Sequence, residues 1–215
     1  MEFKRARNAE QKDQRIDQIL KVTEELFSQH NYGEITLAMI AKKLDYTRGN
    51  LYKYVSTKEE IFLKMYDRKQ EAWINEVLSS FSNKENISKE HFSDIWSKVL
   101  SEHQEMLKLH GILGTIIEAN VSVEKLAEFK KKALTDLYKL IPIIQKQFPK
   151  LDDSECRNFL FTQLFYATGL YNNVNFSPLQ IEALKLSSMP YEEQNFYDTF
   201  HHFMKIFING YSSIE

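Results

Sequence analysis

The chain has 215 residues, of which 43% are hydrophobic and 27% charged, with a formal net charge of −2, six Gly, four Pro and one Cys. That apolar content supports a sizeable core and argues against disorder, the scarcity of Gly and Pro argues against a turn-rich sheet protein, and the lone Cys156 excludes an intramolecular disulfide and a multi-Cys zinc site. No run approaches the ~20 apolar residues of a membrane span and no secretory leader is legible, so a cytoplasmic protein is expected.

In chain order, helical periodicity begins near Ala9 and runs to His30, with Ile16, Ile19, Leu20, Val22, Leu26 and Phe27 on one apolar stripe. Asn31 stands where a left-handed C-terminal cap would sit. Thr36 can cap a short helix over 37–44 with Leu37, Ile40, Ala41 and Leu44 inward, Asp45 and Tyr46 make a turn, and Thr47 can cap a second helix over 48–54. A capping box in either of two registers, Ser56 with Glu59 or Thr57 with Glu60, opens a long helix to about Phe81, with Ile61, Phe62, Met65, Tyr66, Trp73 and Leu78 inside. The stretch 82–90 is expected to be weakly ordered. Further helices are expected at 88–109, 112–120, 123–147, 154–174, 178–187 and 191–211. Ser88, Ser122, Asp153 and Ser177 serve as caps, Gly111 as a stop, Pro178 as a first-turn residue and Pro142 as a kink or break. The expected fold is all-α with about nine or ten helices. A helix-turn-helix three-helix domain occupies 1–56, and a C-terminal helical bundle fills 57–215, entered by the connecting helix 57–81.

Charge is unevenly divided. Residues 1–70 hold 14 Lys+Arg and 11 Asp+Glu, a net of +3, whereas 71–215 hold 14 and 19, a net of −5. Within 36–58, Lys42, Lys43, Arg48, Lys53 and Lys58 face only Asp45, a local positive potential of the kind a polyanion senses, although a charge count alone also fits a solvated surface. If Leu51 and Val55 point inward, Arg48, Gly49, Asn50, Tyr52, Lys53 and Tyr54 are left largely outward. Arg can fork onto guanine, Asn onto adenine, and Tyr and Lys reach phosphates. The bland alternative is that Tyr52 and Tyr54 are packing residues.

The run "ILKVTEELFSQHNYGEITLAMIAKKLDYTRGNLYKYVSTKEEIF" resembles the DNA-binding domain of TetR-family (tetracycline-repressor-like) regulators. The resemblance rests on Phe27, Tyr32, Ile35-Thr36, Ile40-Ala41, Leu44, Gly49, Leu51-Tyr52, Tyr54 and Lys58-Glu59, and covers about residues 9–66. Asn31 and Asp45 depart from it, standing where the family usually has Gly, as does Val55 in place of Phe. It implies that 48–54 is a recognition helix capped by Thr47, that Arg48, Asn50 and Tyr54 look into a major groove, and that Thr36, Tyr52 and Lys58 hold phosphates, with Lys53 serving backbone or base. Lys4, Arg5 and Arg7 are either a minor-groove arm or a basic tail.

The C-terminal half is rich in aromatics, 18 in residues 90–215. Two stripes in the last helix, Phe196, Phe200, Phe203 and Phe207 beside Tyr197, Met204 and Tyr211, suggest burial on two faces, one against a second subunit. The resemblance likewise implies a homodimer on a palindromic double-stranded DNA operator. Met106, Leu109, Leu113, Ile117, Phe161, Phe165 and Tyr166 can line a cavity edged by His110, Glu118 and Asn120, suited to a small hydrophobic, cationic or amphipathic effector, though such aromatics equally make plain core. His103 with His110, and His201 with His202, lack convergent partners for a metal, and no phosphate loop or nucleophile motif is present. No catalysis, cofactor, metal or membrane association is therefore expected. The expected function is a ligand-responsive DNA-binding regulator. The alternative is an all-α interaction or ligand-binding protein that leaves DNA alone.

Overall fold

The computed structural model describes the backbone of residues 2–212 and the side chains of residues 10–211. Among these, eleven α-helices and no strand are present. The chain divides into two compact units, Met1–Arg68 with Leu113–Phe129, and Lys69–Ile112 with Lys130–Glu215.

The first unit holds α1 (Glu2–Gln29), α2 (Leu37–Lys43), α3 (Arg48–Leu51) and the first turns of α4 (Lys58–Phe81). α1 starts seven residues before Ala9. Its leading residues lack an apolar stripe, so periodicity misses them, but Lys, Arg and Ala are good helix formers and no Gly or Pro interrupts. The side chains of Lys4, Arg5 and Arg7 lie outside the described residues. α2 and α3 are too short to persist alone. They are held by Ile40, Ala41, Leu51 and Val55, buried like Ile19, Leu20, Leu26, Phe27, Ile61 and Phe62, and each buried Val, Leu or Ile side chain contributes roughly 1.5–3 kcal/mol. Phe62 is at the centre, edge-on to Phe27 and Tyr32 at 5.2 and 4.9 Å. Leu37 and Leu44 are only half-buried. The returning segment adds a π-helical turn at Leu113–Ile117, a 3-10 turn at Glu118–Asn120 and the start of α7 (Val123–Leu137). Phe129 meets Tyr66 at 5.9 Å, and the Lys125 ammonium reaches buried Glu60 at 2.6 Å. Burial pushes the Glu60 carboxyl up, but hydrogen bonds from Lys125 and from the Ser56 N–H hold it below its ordinary value.

Two local expectations are corrected here, and one left open is decided. The helix predicted over 48–54 is one α-turn followed by tightened bonds, Lys53 N–H to Asn50 O at 3.3 Å and Tyr54 N–H to Leu51 O at 3.0 Å. Gly49 and Asn50 favour helix poorly, and Leu51 and Val55 supply its only fully buried anchors. Asn31 is not left-handed. It starts a turn in which its N–H is held by the Glu34 carboxylate at 2.7 Å and its carbonyl accepts from the Glu34 N–H at 3.0 Å. Of the two capping registers, Thr57 accepts the Glu60 N–H at 3.2 Å, while the Glu60 carboxylate reaches back to Ser56 at 3.0 Å.

The second unit comprises the rest of α4 and α7 with α5 (Lys89–Glu102), α6 (Gln104–Ile112), α8 (Ile141–Gln147), α9 (Asp153–Val174), α10 (Pro178–Ser187) and α11 (Phe196–Ser212). Its core is an aromatic cluster. Trp96 stacks on Phe92 at 5.5 Å and meets Phe159 and Trp73 edge-on at 5.7 and 6.3 Å, and its indole N–H donates to buried Gln163 at 3.3 Å. α11 buries Phe196, Phe200, Met204 and Ile208, an unbroken i, i+4 row, whereas Phe203 and Phe207 are half-buried.

Here the predicted long helices are subdivided. The 88–109 helix breaks at His103 (φ −111°, ψ 31°), whose Nε2 lies 2.8 Å from the Glu76 carboxylate. Gly111 is no stop. It continues α6, and a Cβ there would lie 3.4 Å from the Asn172 side chain on α9, an ordinary contact that does not by itself demand Gly. A 3-10 turn at Tyr138–Leu140 divides 123–147 and places Pro142 in the first turn of α8, where its missing N–H costs nothing. Asp152, one residue before the expected Asp153, caps α9 in a full capping box with Glu155. Residues 191–195 are outside any helix, and Asn195 caps α11 by accepting the Asp198 N–H at 3.1 Å. Among the described residues no helix is long and apolar enough to cross a membrane.

Candidate nucleic-acid interface

The geometry of residues 36–58 follows from two caps and one turn. The Thr36 hydroxyl accepts the Met39 N–H at 3.2 Å and starts α2, which ends at Leu44. Asp45 then adopts φ 56°, a left-handed backbone that Asp tolerates better than most residues. The chain reverses, Tyr46 N–H returns to Ala41 O at 2.8 Å, and the Thr47 hydroxyl accepts the Asn50 N–H at 3.2 Å to start α3.

α3 is therefore capped at its start by Thr47 and held from below by Leu51, which is fully buried. Arg48, Gly49 and Lys53 are exposed, Tyr52 is 48% exposed, and Asn50 and Tyr54 are half-buried. A Cβ on Gly49 would meet nothing within 4 Å, so no internal contact demands Gly there. Thr36 and Thr47 are exposed at their caps. Lys58 is placed differently. Its ammonium donates to Tyr32 O at 2.8 Å and sits 3.9 Å from the Tyr32 ring, and burial lowers its pKa although Glu59 opposes this. The Tyr32 hydroxyl donates to Glu59, and burial and that bond together raise it well above the ordinary phenol range. Sequence reasoning named Tyr32 only as a marker of resemblance, and Glu59 only as that and as a possible capping-box partner of Ser56. Their contacts join residues 26 and 27 apart and leave no local signal.

Of the ten residues proposed for an effector, Leu113, Ile117, Glu118 and Asn120 belong to the first unit and the other six to the second. Met106, Leu109, Leu113 and Ile117 are buried, His110 Nδ1 is 2.9 Å from the Thr168 hydroxyl, and Phe161 is half-buried, while Phe165 is 63% exposed and Tyr166 stacks on Phe203 at 3.7 Å. A cavity of about 260 Å³ in the second unit is lined by other residues, among them Phe81, Ile87, Phe92 and Ile143 with Lys84 and Lys146. Three buried polar atoms of that unit, Trp73 Nε1, Ser97 Oγ and His201 Nε2, have no hydrogen-bond partner among the described residues. No cluster of three metal-ligating side chains is found among those residues.

Residues 67–215 match the family described as tetracyclin repressor-like, C-terminal domain, and residues 19–65 match that of bacterial regulatory proteins, tetR family. A curated relative, the HTH-type transcriptional regulator QacR of Staphylococcus aureus, is 28% identical over 108 residues, 45% of this chain and 57% of its own length, so the alignment spans little more than half of that protein. Among solved structures, a possible TetR family transcriptional regulator from Streptomyces coelicolor A3(2) has a TM-score of 0.59 at 10% identity, covering 93% of this chain and 100% of its own. The fatty acid degradation regulator FadR from Bacillus halodurans has a TM-score of 0.55 at 17% identity, covering 88% and 93%. At these identities both are likenesses of fold.

Proposed function

Since this chain belongs to the TetR family of bacterial regulatory proteins, we propose that it is a homodimeric repressor that leaves a palindromic operator when a small hydrophobic or amphipathic effector binds. The observation that carries the DNA-binding part is the α3 surface, where a helix anchored by buried Leu51 offers Arg48, Tyr52 and Lys53 to solvent. Arg48 and Asn50 are the base readers, with Tyr54 beside them, and Thr36, Thr47, Tyr52 and Lys53 contact the backbone. Lys58 fixes the loop at Tyr32 and lends its charge to the same face.

Exposed apolar side chains on the two long C-terminal helices, Phe165 on α9 and Ile206 (61% exposed) on α11, support a two-fold dimer through those helices. An effector site within the second unit is supported by its aromatic core and by the buried Trp73 and Ser97 donors, which a polar ligand group would satisfy. The effector acts through α4, which runs from Lys58 in the first unit to Phe81 in the second and changes the spacing of the paired α3 helices. To do so it must bind the DNA-released state more tightly.

Sequencing the DNA fragments retained by the purified protein, then titrating the best site against salt, tests this reading. A palindromic site whose affinity falls steeply with salt is expected. Arg48→Ala should cost about 1–3 kcal/mol and blur one position of each half-site. Salt-independent binding, or none, would instead identify an all-α ligand-binding protein. Equal effector affinity with and without operator would exclude the coupling.

A further inference from the structure

An open cleft of about 700 Å³ lies beside the recognition segment in the first unit. One wall is α1, through Gln11, Lys12, Gln14, Arg15 and Gln18, and the other is Lys53 and Tyr54. Three cations and four neutral polar side chains line it, and no carboxylate does. Gln11, Gln14, Arg15 and Gln18 recur at the i, i+3, i+4, i+7 spacing of one helix face, and Lys12 flanks that face three residues before Arg15. The acids of that helix nearest the cleft in sequence, Glu10, Asp13 and Asp17, follow a separate stripe, and Asp17 is paired with Arg68.

Arg15 is held in place from the helix-turn-helix. Its Nη1 donates to the Tyr46 hydroxyl at 3.0 Å and to Gln18 Oε1 at 2.9 Å, its guanidinium lies 5.9 Å from the Tyr46 ring centroid, and the Tyr46 hydroxyl donates to Gln18 at 3.3 Å. Tyr46 follows Asp45, whose left-handed backbone turns the chain at this point. The turn that orients α3 thus also orients a cation on α1. A preorganised guanidinium loses less side-chain freedom when it meets a phosphate.

We propose that this cleft seats a DNA sugar-phosphate strand, with Lys12, Arg15 and Lys53 neutralising phosphates beside the groove read by α3 and Tyr46 acting as a positioning residue for Arg15. The inference rests on the operator-binding reading and adds a second phosphate-binding wall to it. A free inorganic anion shares the chemistry, and the arms of the test separate the two.

The test measures affinity against salt for the full chain on its operator and on a scrambled duplex. Lys12→Ala with Arg15→Ala should weaken both complexes alike and reduce the slope of log affinity against log salt by about 2, and Lys53→Ala by about 1. Tyr46→Phe should weaken binding about two- to ten-fold, and this effect should vanish in the Arg15→Ala background, which a merely structural role for Tyr46 would not produce. Asp13→Ala, on the opposite stripe, should leave the slope unchanged, and circular dichroism checks that every variant is folded. A wild-type slope in the double variant, with operator binding intact, would overturn the cleft alone. So would inorganic phosphate protecting the wild type, but not the double variant, against thermal unfolding while their DNA slopes agreed. Failure of the wild type to bind any duplex would overturn the operator reading and this inference with it.

Discussion

Phe62 and Trp96 are each fully buried at the centre of a compact unit, but their surroundings differ. Around Phe62 the aromatics keep polar ends in use: Tyr32 packs edge-on to it while its hydroxyl binds Glu59 and its ring carries the Lys58 ammonium. Around Trp96 the neighbours are Trp73, Phe81, Phe92 and Phe159, rings without hydroxyls. In the first unit two short helices, α2 and α3, are fixed beside the long α1 by caps and ties, with their polar chemistry turned outward. The second is a set of helices whose cohesion is apolar area. Surface display needs many small constraints, whereas bulk cohesion needs a few large side chains.

The contrast can be broken by mutation. Phe159→Ala, which removes contacts to Phe92, Trp96, Phe148, Phe207 and Tyr211, should cost about 3–5 kcal/mol in urea unfolding. Leu51→Ala in the first unit should cost about 2–5 kcal/mol, and should reduce DNA binding at temperatures where the second unit's near-ultraviolet dichroism is still native. Were Leu51→Ala to melt both units together, the division into differently stabilised parts would fail. Thr47→Ala removes one cap from a four-residue helix and should cost about 1 kcal/mol. Ser177→Ala, at a comparable cap on the longer α10, provides the reference, and the effect on DNA affinity should be confined to Thr47.

The smallest effect concerns Glu60. Its folded carboxyl is held below the ordinary value, so the stability it contributes is present above the unfolded-chain pKa of about 4.3 and is lost as pH falls through the folded value. Glu60→Gln should therefore be less stable than the wild type near neutrality, with the gap narrowing below about pH 4. Urea titrations at several pH values would show it, and a gap independent of pH would assign the loss to packing.

Legibility in the sequence tracks the same contrast. Thr36, Thr47, Ser88 and Ser177 cap where local spacing placed them, because a cap is a contact over three residues. The exposure of Arg48, Tyr52 and Lys53 was readable for a similar reason, once Leu51 and Val55 were taken as the inward pair. The break at His103 and the turns after Ile112 were not readable, since apolar periodicity continues through them and tertiary packing decides where the backbone yields, whereas the break at Tyr138–Leu140 was marked locally by Pro142. Nor was the engagement of Lys58 with Tyr32, or of Arg15 with Tyr46, because these join residues 26 and 31 apart. Phe161, Phe165 and Tyr166 show the limit of composition as a guide. A helix rich in aromatics on several faces does not reveal which face its own protomer covers.

Asp45 has a consequence for how such a chain can diverge. With φ at 56°, the position admits a narrow alphabet of Gly, Asn and Asp, and any β-branched replacement would carry a penalty of about 1–2 kcal/mol. Lineages could drift freely at Arg48 or Asn50 and acquire new operators, while this corner stays nearly frozen beside them. Adaptability at the reading face thus sits beside a corner whose backbone restricts it to a few residue types.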